Sequence, residues 1–263
     1  MSAPSVKYNV EHGLARIRLN RPEKRNALSP SMIVELVAAF DKASGDKGVG
    51  VVVLEAQGPA FCAGMDLRET DLADAKSADR FARLLSRLYT QLLTFDRPLL
   101  AGVHGPVFGG GLGLAAAADI VWVGPEARFA LPEVRLGLVP ALVSVVLRRR
   151  LSAARLSAMA LSGAVLDAHE ALDSGLAERC VEGDVVAEVA SHARSLLQDN
   201  AAGAMARTKR FLRGLLHANL SQEFRLAEEE FRAMASTTDA KRGLEAFDRR
   251  RTVIWNDESS DDV

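Results

Sequence analysis

Hydrophobic and polar positions alternate with a period near two across residues 6–19 (VKYNVEHGLARIRL), which predicts two strands meeting at the turn-forming pair His12-Gly13. After the loop Asn20–Ser29 the period lengthens. Met32, Ile33, Leu36, Val37 and Phe40 recur at helical spacing, and Pro30 suits a first helical position. Gly50–Ala56 (GVVVLEA) is a continuous apolar run rich in valine, the mark of a strand covered on both faces. A glycine-bearing loop over Gly58–Asp66 and a polar stretch then lead to a helix from about Ser77 to Phe95. The same order repeats as strand Leu99–Val103, turn, helix Gly110–Ala118 and strand Ile120–Val123. Buried strands alternating with helices predict an α/β architecture built from βαβ units. From Gly183 onward only helical patterning remains, over 184–198, 203–217, 221–235 and 239–250. The acidic, polar tail Asp257–Val263 is expected to be disordered.

Composition leaves this picture standing and narrows the functions. A chain of 263 residues, 48% hydrophobic and 25% charged, fits one large domain or a core with a smaller appendage. A net charge of −1 exerts no global pull toward nucleic acid or an anionic membrane, so neither is an expected partner. Of two arginine runs, Arg148–Arg150 fits the end of an apolar helix, where cations complement the dipole, and Arg249–Arg251 fits either the same role or an anionic ligand held by a neighbouring subunit. Cys62 and Cys180 are too few for a disulfide framework and lack metal-ligand spacing. The N-terminus carries no apolar segment of the signal-peptide kind, and a reduced, cytoplasmic setting is expected. One stretch, Pro98 to Ala118, runs 21 residues without a charge, long enough to span a bilayer. Its six glycines, two prolines and His104 fit a buried strand, a glycine turn and a buried helix better.

Two segments carry candidate chemistry: Phe61–Leu67 (FCAGMDL) and Gly105–Gly111 (GPVFGGG). Each follows a buried strand and precedes a helix. Glycine there permits positive φ and close approach of a ligand to the main chain. Amides that open a helix lack intrahelical partners and carry partial positive charge. Two such loops can aim two N–H groups at one oxygen, or can simply make tight turns. Neither Gly-x-x-x-x-Gly-Lys-Ser/Thr nor Gly-x-Gly-x-x-Gly is present, so the spacing points to an anion or oxyanion site rather than a nucleotide site.

These segments occur in an ordered set that resembles the enoyl-CoA hydratase/isomerase (crotonase) family. Leu19–Leu28 (LNRPEKRNAL) looks like the family's N-terminal signature, and Phe61–Leu67 is similar to its Phe-x-Ala-Gly-x-Asp-Leu/Ile loop. Gly105–Gly111, followed by Ala117-Ala118-Asp119-Ile120, resembles its Gly-x-x-x-Gly-Gly-Gly block, and Thr238–Phe247 its C-terminal helix motif. The resemblance implies a crotonase-like α/β spiral of ββα units in two nearly perpendicular sheets, with a C-terminal helical trimerisation region. The expected division is a core at 1–195, a helical subdomain at 196–256 and the tail 257–263. It further implies an acyl-CoA thioester substrate, with coenzyme A as part of the substrate and no separate cofactor or metal, and a homotrimer or dimer of trimers.

By the same residue-wise resemblance, the backbone amides of Met65 and Gly110 are the expected oxyanion donors. Ala27, Ala63, Gly64, Asp66 and Leu67 fall where the family contacts the CoA ester, and Lys24 or Arg25 is placed to meet its phosphates or to remain a solvated loop charge. Glu133, set among apolar residues in LPEVRLGL, matches a glutamate the family uses as acid and base. Such surroundings raise a carboxyl pKa, although a glutamate after Pro132 also suits a helix start. The sequence departs from two-glutamate hydratases at Gly113, where their second carboxylate stands, and at Ala141-Leu142-Val143-Ser144, which replaces the usual glycine-rich stretch. Enoyl-CoA hydration is therefore the leading expectation. The alternatives are Δ3,Δ2-enoyl-CoA isomerisation and a non-catalytic relative that binds acyl-CoA or RNA.

Four further readings are testable by position. His104 is expected as a hydrogen-bonded supporting group, Cys62 as a buried small hydrophobe, and Asp66 as the cap of the following helix. Glu69, Asp71, Asp74 and Asp79 form either a solvated face or the source of a second acid.

Overall fold

The structure is a computed structural model that describes residues 3–215, 228, 229, 233, 237–249, 251 and 255. Strands β1 (Val6–Glu11) and β2 (Leu14–Leu19) form an antiparallel hairpin. Its turn pair, His12 and Gly13, has φ of 47° and 79°, the left-handed geometry that matches the strand twist. Helix α1 (Pro30–Gly45) starts where the sequence places it: the Ser29 Oγ accepts the Met32 N–H at 3.2 Å, and Pro30 is the first helical residue. Strand β3 (Val51–Ala56) is buried along its whole length and runs parallel to β2. Glu55 within it is sealed off from solvent and held by Arg16 at 2.8 Å and Arg18 at 2.5 Å.

Helix α2 (Ala75–Thr94) opens later than the reading of Asp66 as a helix cap implies. Asp74 is its cap, accepting from the Lys76 and Ser77 amides, whereas Asp66 closes a turn by accepting from the Arg68 and Glu69 amides. The intervening polar residues make a run of turns rather than a helix.

Then come β4 (Leu99–Val103), β5 (Pro106–Phe108), α3 (Gly110–Ala116), β6 (Ile120–Val123) and β7 (Arg128–Ala130). Next along the chain are α4 (Ala141–Leu147), α5 (Ala153–Ser162), β8 (Val165–Leu166), α6 (Ala168–Asp173) and β9 (Arg179–Cys180). One sheet has the order β1-β2-β3-β4-β6-β9, parallel except for the first pair; a second, β5-β7-β8, holds the strand that leads into the second glycine loop. Helices α1, α2 and α3 bury their apolar stripes with the larger sheet in one core.

Helix α7 (Val185–Asp199) covers the other face of that sheet, setting Val185, Val189, Ala193 and Leu197 against Leu14, Val51, Val53, Leu100 and Trp122. The helix runs through residue 195, where the core was expected to end. Helices α8 (Ala202–Leu215) and α9 (Thr238–Asp248) follow, and Lys209 ties α8 to the core through Asp119 at 2.7 Å and the Arg97 carbonyl at 2.9 Å. Of the helix expected over 221–235, only Glu228, Glu229 and Ala233 are described, all helical; the rest of it and the tail 257–263 lie outside the described residues. Arg148–Arg150 follow α4 as expected; Arg150 reaches the Ala116 carbonyl at 2.9 Å and so also closes the end of α3. Among the described residues, no helix is long and apolar enough to cross a membrane.

Candidate active site

The first glycine loop is held from two sides. Asn26, buried at φ 54°, accepts the Arg21 amide and donates to the Gln57 and Ala60 carbonyls, each at 2.9 Å, so it pins the N-terminal loop to the start of Phe61–Leu67. Leu28 then pairs with Met65: its N–H donates to the Gly64 carbonyl at 2.7 Å and its carbonyl accepts from Asp66 at 2.9 Å. Because the C=O and N–H of one trans peptide point in opposite directions, the bond to the Gly64 carbonyl leaves the Met65 N–H facing away from Leu28.

The second loop is laced to the first, with the Cys62 amide donating to the Pro106 carbonyl and the Phe108 amide to the Cys62 carbonyl at 2.9 Å. A Cβ on Gly64 would stand 2.8 Å from the Phe108 oxygen and 3.6 Å from the Gly110 nitrogen. That approach demands glycine, as does φ of 90° at the same residue. Gly110 is the first residue of α3, so its N–H has no partner within the helix. Among the described residues, neither the Met65 nor the Gly110 N–H has a hydrogen-bond acceptor.

Both residues line one cavity of about 290 Å³, together with Ala63, Gly64, Leu67, Phe81, Leu85 and a wall running from Pro132 to Val143. Glu133 also lines it, and among the described residues is the one polar side chain that does. It sits on a 3₁₀ turn, Pro132–Leu136, that ends at Gly137 with φ 71°. The carboxyl is half-buried, its Oε2 has no hydrogen-bond partner among the described residues, and burial pushes its pKa above the ordinary 4.5. A cavity of apolar walls, two bare amides and one reluctant carboxylate can hold a carbonyl oxygen and move a proton beside it.

Of the residues singled out in the sequence, Met65, Gly110, Glu133, Ala63, Gly64 and Leu67 thus share the cavity. Lys24, Arg25, Ala27 and Asp66 do not line it. Lys24 and Arg25 are exposed on the neighbouring loop without an ion-pair partner among the described residues, and Asp66 pairs with Arg21 at 3.2 Å. The other acidic candidates are engaged locally: Glu69 with Arg21, Asp79 with Arg83, Asp71 and Asp74 with nearby amides. Among the described residues, no second carboxylate reaches the cavity. His104 bonds the Gly58 carbonyl at 2.7 Å, away from it. Cys62 is buried, with its thiol donating to the Asn26 carbonyl and its pKa pushed up to about 12 by burial, so it is no nucleophile. A larger hollow of about 1090 Å³ between the end of α3 and α7–α9 is lined by none of the residues expected to bind substrate or carry the proton.

Tyr89 escaped the sequence reading because it sits in the apolar stripe of α2, where an aromatic residue reads as core. It is buried, and its hydroxyl donates to the Gly110 carbonyl at 2.6 Å. Its ring fills the space beside Gly113, where a Cβ would lie 2.4 Å from the phenol carbon and oxygen.

A family model described as enoyl-CoA hydratase/isomerase matches residues 9–258. The chain belongs to that family. The enoyl-CoA hydratase/isomerase relatives include a Thermus thermophilus protein bearing an enoyl-CoA hydratase name, 38% identical over 92% of this chain and 97% of its own. A 2,3-dehydroadipyl-CoA hydratase of Escherichia coli is 33% identical over 90% of this chain and 92% of its own. A crystal structure of an enoyl-CoA hydratase from Mycobacterium smegmatis superimposes with a TM-score of 0.92 at 26% identity, covering 97% of this chain and 100% of that one. The architecture is the crotonase fold, as the ordered motifs implied. Family membership brings acyl-CoA thioesters as the class of substrate.

Proposed function

We propose that the protein is an enoyl-CoA hydratase in which the Met65 and Gly110 amides bind the thioester oxygen and Glu133 is the only acid and base. The observation that supports this reading is that Met65 and Gly110, whose N–H groups have no acceptor among the described residues, line one otherwise apolar cavity with Glu133, whose Oε2 has no hydrogen-bond partner among them either. As water adds to C3, Glu133 takes its proton, negative charge builds on the thioester oxygen, and Glu133 returns a proton to C2 on the same face. Donors aimed at that oxygen bind the enolate better than the ground state, and losing one typically costs about 100- to 1000-fold in rate. Lys24 and Arg25, exposed and without ion-pair partners among the described residues, are suited to the CoA phosphates.

The absence of a second carboxylate from the described cavity wall favours one other reading, a Δ3,Δ2-enoyl-CoA isomerase, since a single glutamate can carry a proton between C4 and C2. Incubation with crotonyl-CoA and with a 3-enoyl-CoA separates the two. Loss of the 2-enoyl absorbance from the first marks hydration, and its appearance from the second marks isomerisation. Binding of CoA thioesters with neither change would indicate a non-catalytic relative. We propose further that the chain assembles as a trimer or a dimer of trimers, since α8 and α9 leave Leu212 and Leu244 more than half exposed. A monomeric mass in solution scattering contradicts that.

A further inference from the structure

We propose that Tyr89 is a positioning residue for the Gly110 amide, and that the pair Tyr89–Gly113 has taken over the space beside the second glycine loop that a side chain at position 113 would otherwise occupy. The inference rests on reading the Met65 and Gly110 amides as the oxyanion site.

Helix α3 needs such an anchor. It is seven residues long, begins Gly110-Gly111 after a third glycine, and has no side-chain cap at its start. Consecutive glycines are the least restrained backbone available, while an oxyanion donor works only if its direction is set before charge develops. The Gly109 N–H donates to the Ala130 carbonyl at 3.0 Å, and two contacts restrain the following residues. Gly111 lies against Cys62, where an added Cβ would come within 2.6 Å of the sulfur, and the Tyr89 hydroxyl grips the carbonyl of Gly110 itself. The phenol stays a donor: its pKa is driven well above 10.0 by burial, and the charges of Cys62 and Glu133 push the same way. Tyr89 does not line the cavity and acts as a positioning residue: it holds the Gly110–Gly111 peptide, joined at the Gly110 Cα to the peptide that carries the Gly110 N–H.

The ring and position 113 exclude one another. A Cβ at 113 would sit 2.4 Å from the phenol oxygen, on a ring packed inside the core with nowhere to swing. Any side chain at 113 therefore costs the hydrogen bond to Gly110, and any carboxylate there would displace the ring.

The test uses butyryl-CoA with a ¹³C-labelled thioester carbonyl, which is saturated and is not turned over, bound to the wild-type protein, Tyr89→Phe and Gly113→Ala. Infrared difference spectra report the carbonyl stretch, and crotonyl-CoA hydration is measured in parallel. The expected result is a red-shifted stretch in the wild type, a smaller shift in both variants, and kcat lowered about tenfold in Tyr89→Phe with KM within about twofold. Tyr89→Phe keeps the ring and the fold, which circular dichroism verifies, so a smaller red shift there is not the mark of a damaged core. A wild-type red shift retained in full by Tyr89→Phe overturns the role of Tyr89 and leaves the oxyanion reading intact. No red shift in the wild type overturns both.

Discussion

The Glu133 carboxylate rests against the backbone of Gly109, at the mouth of the second glycine loop: a Cβ at 109 would lie 2.9 Å from Oε1. Gly109 itself has φ of 50° with ψ of −124°, a conformation that side chains do not tolerate. One glycine thus seats the proposed proton carrier and opens the helix that carries the Gly110 amide. Gly109→Ala is expected to lower hydration by at least about 100-fold, as a displaced oxyanion donor does, and to lower stability by about 1–3 kcal/mol. Steady-state kinetics with crotonyl-CoA and a urea melt check the two effects separately.

The pH dependence follows from the burial of Glu133. Its carboxyl is harder to ionise in the cavity than in the unfolded chain, so the folded protein binds that proton more tightly. Stability contributed by this group falls as pH rises from 4.5 through the raised folded pKa, and is constant above it. Hydration needs the ionised form, so the rising limb of kcat/KM against pH is expected above 4.5. Glu133→Gln should abolish turnover while leaving butyryl-CoA binding in place. Full activity in the variant would remove Glu133 from the mechanism.

The acyl end of the substrate is expected to be uncharged. Among the described residues that line the cavity only Glu133 is polar, and Arg135, beside the lining residue Leu136, is tied to the Gly163 carbonyl at 2.9 Å. A second carboxylate placed there would be desolvated beside a like charge with no partner. Hexenoyl-CoA should therefore exceed 2,3-dehydroadipyl-CoA in kcat/KM by about 100-fold or more. Equal values would refute the argument and align this protein with its Escherichia coli relative.

Glu55 offers a control remote from the cavity. It is fully buried and neutralised by Arg16 and Arg18 on β2. Glu55→Leu should cost about 3 kcal/mol by leaving two guanidinium groups without their partner, less whatever water recovers at their exposed ends. Activity per folded molecule should be unchanged. A drop in kcat without loss of stability would show that β3 communicates with the site.

The local pattern determined much of this protein. Valine-rich β3, the apolar stripe of α1 and the His12-Gly13 turn are legible because period and turn chemistry act within a few residues. The ordered glycine motifs went further and indicated the family, and they picked out Met65, Gly110 and Glu133, which the fold brings to one cavity. Three things were settled only when the chain closed on itself. Asp66 turned toward Arg21 and a tight turn instead of capping a helix, because the polar run after it contains too little apolar surface to hold a helix against the core. Tyr89, one aromatic among several in a helical stripe, acquired its contact with Gly110 from the way α2 crosses α3. Gly113 looked like a missing acid in the sequence, whereas in the fold its place is taken by a ring from a residue twenty-four positions earlier. Spacing along a chain reports which way side chains point from one element. Which atom fills the space opposite depends on how two elements pack, and that information is not local.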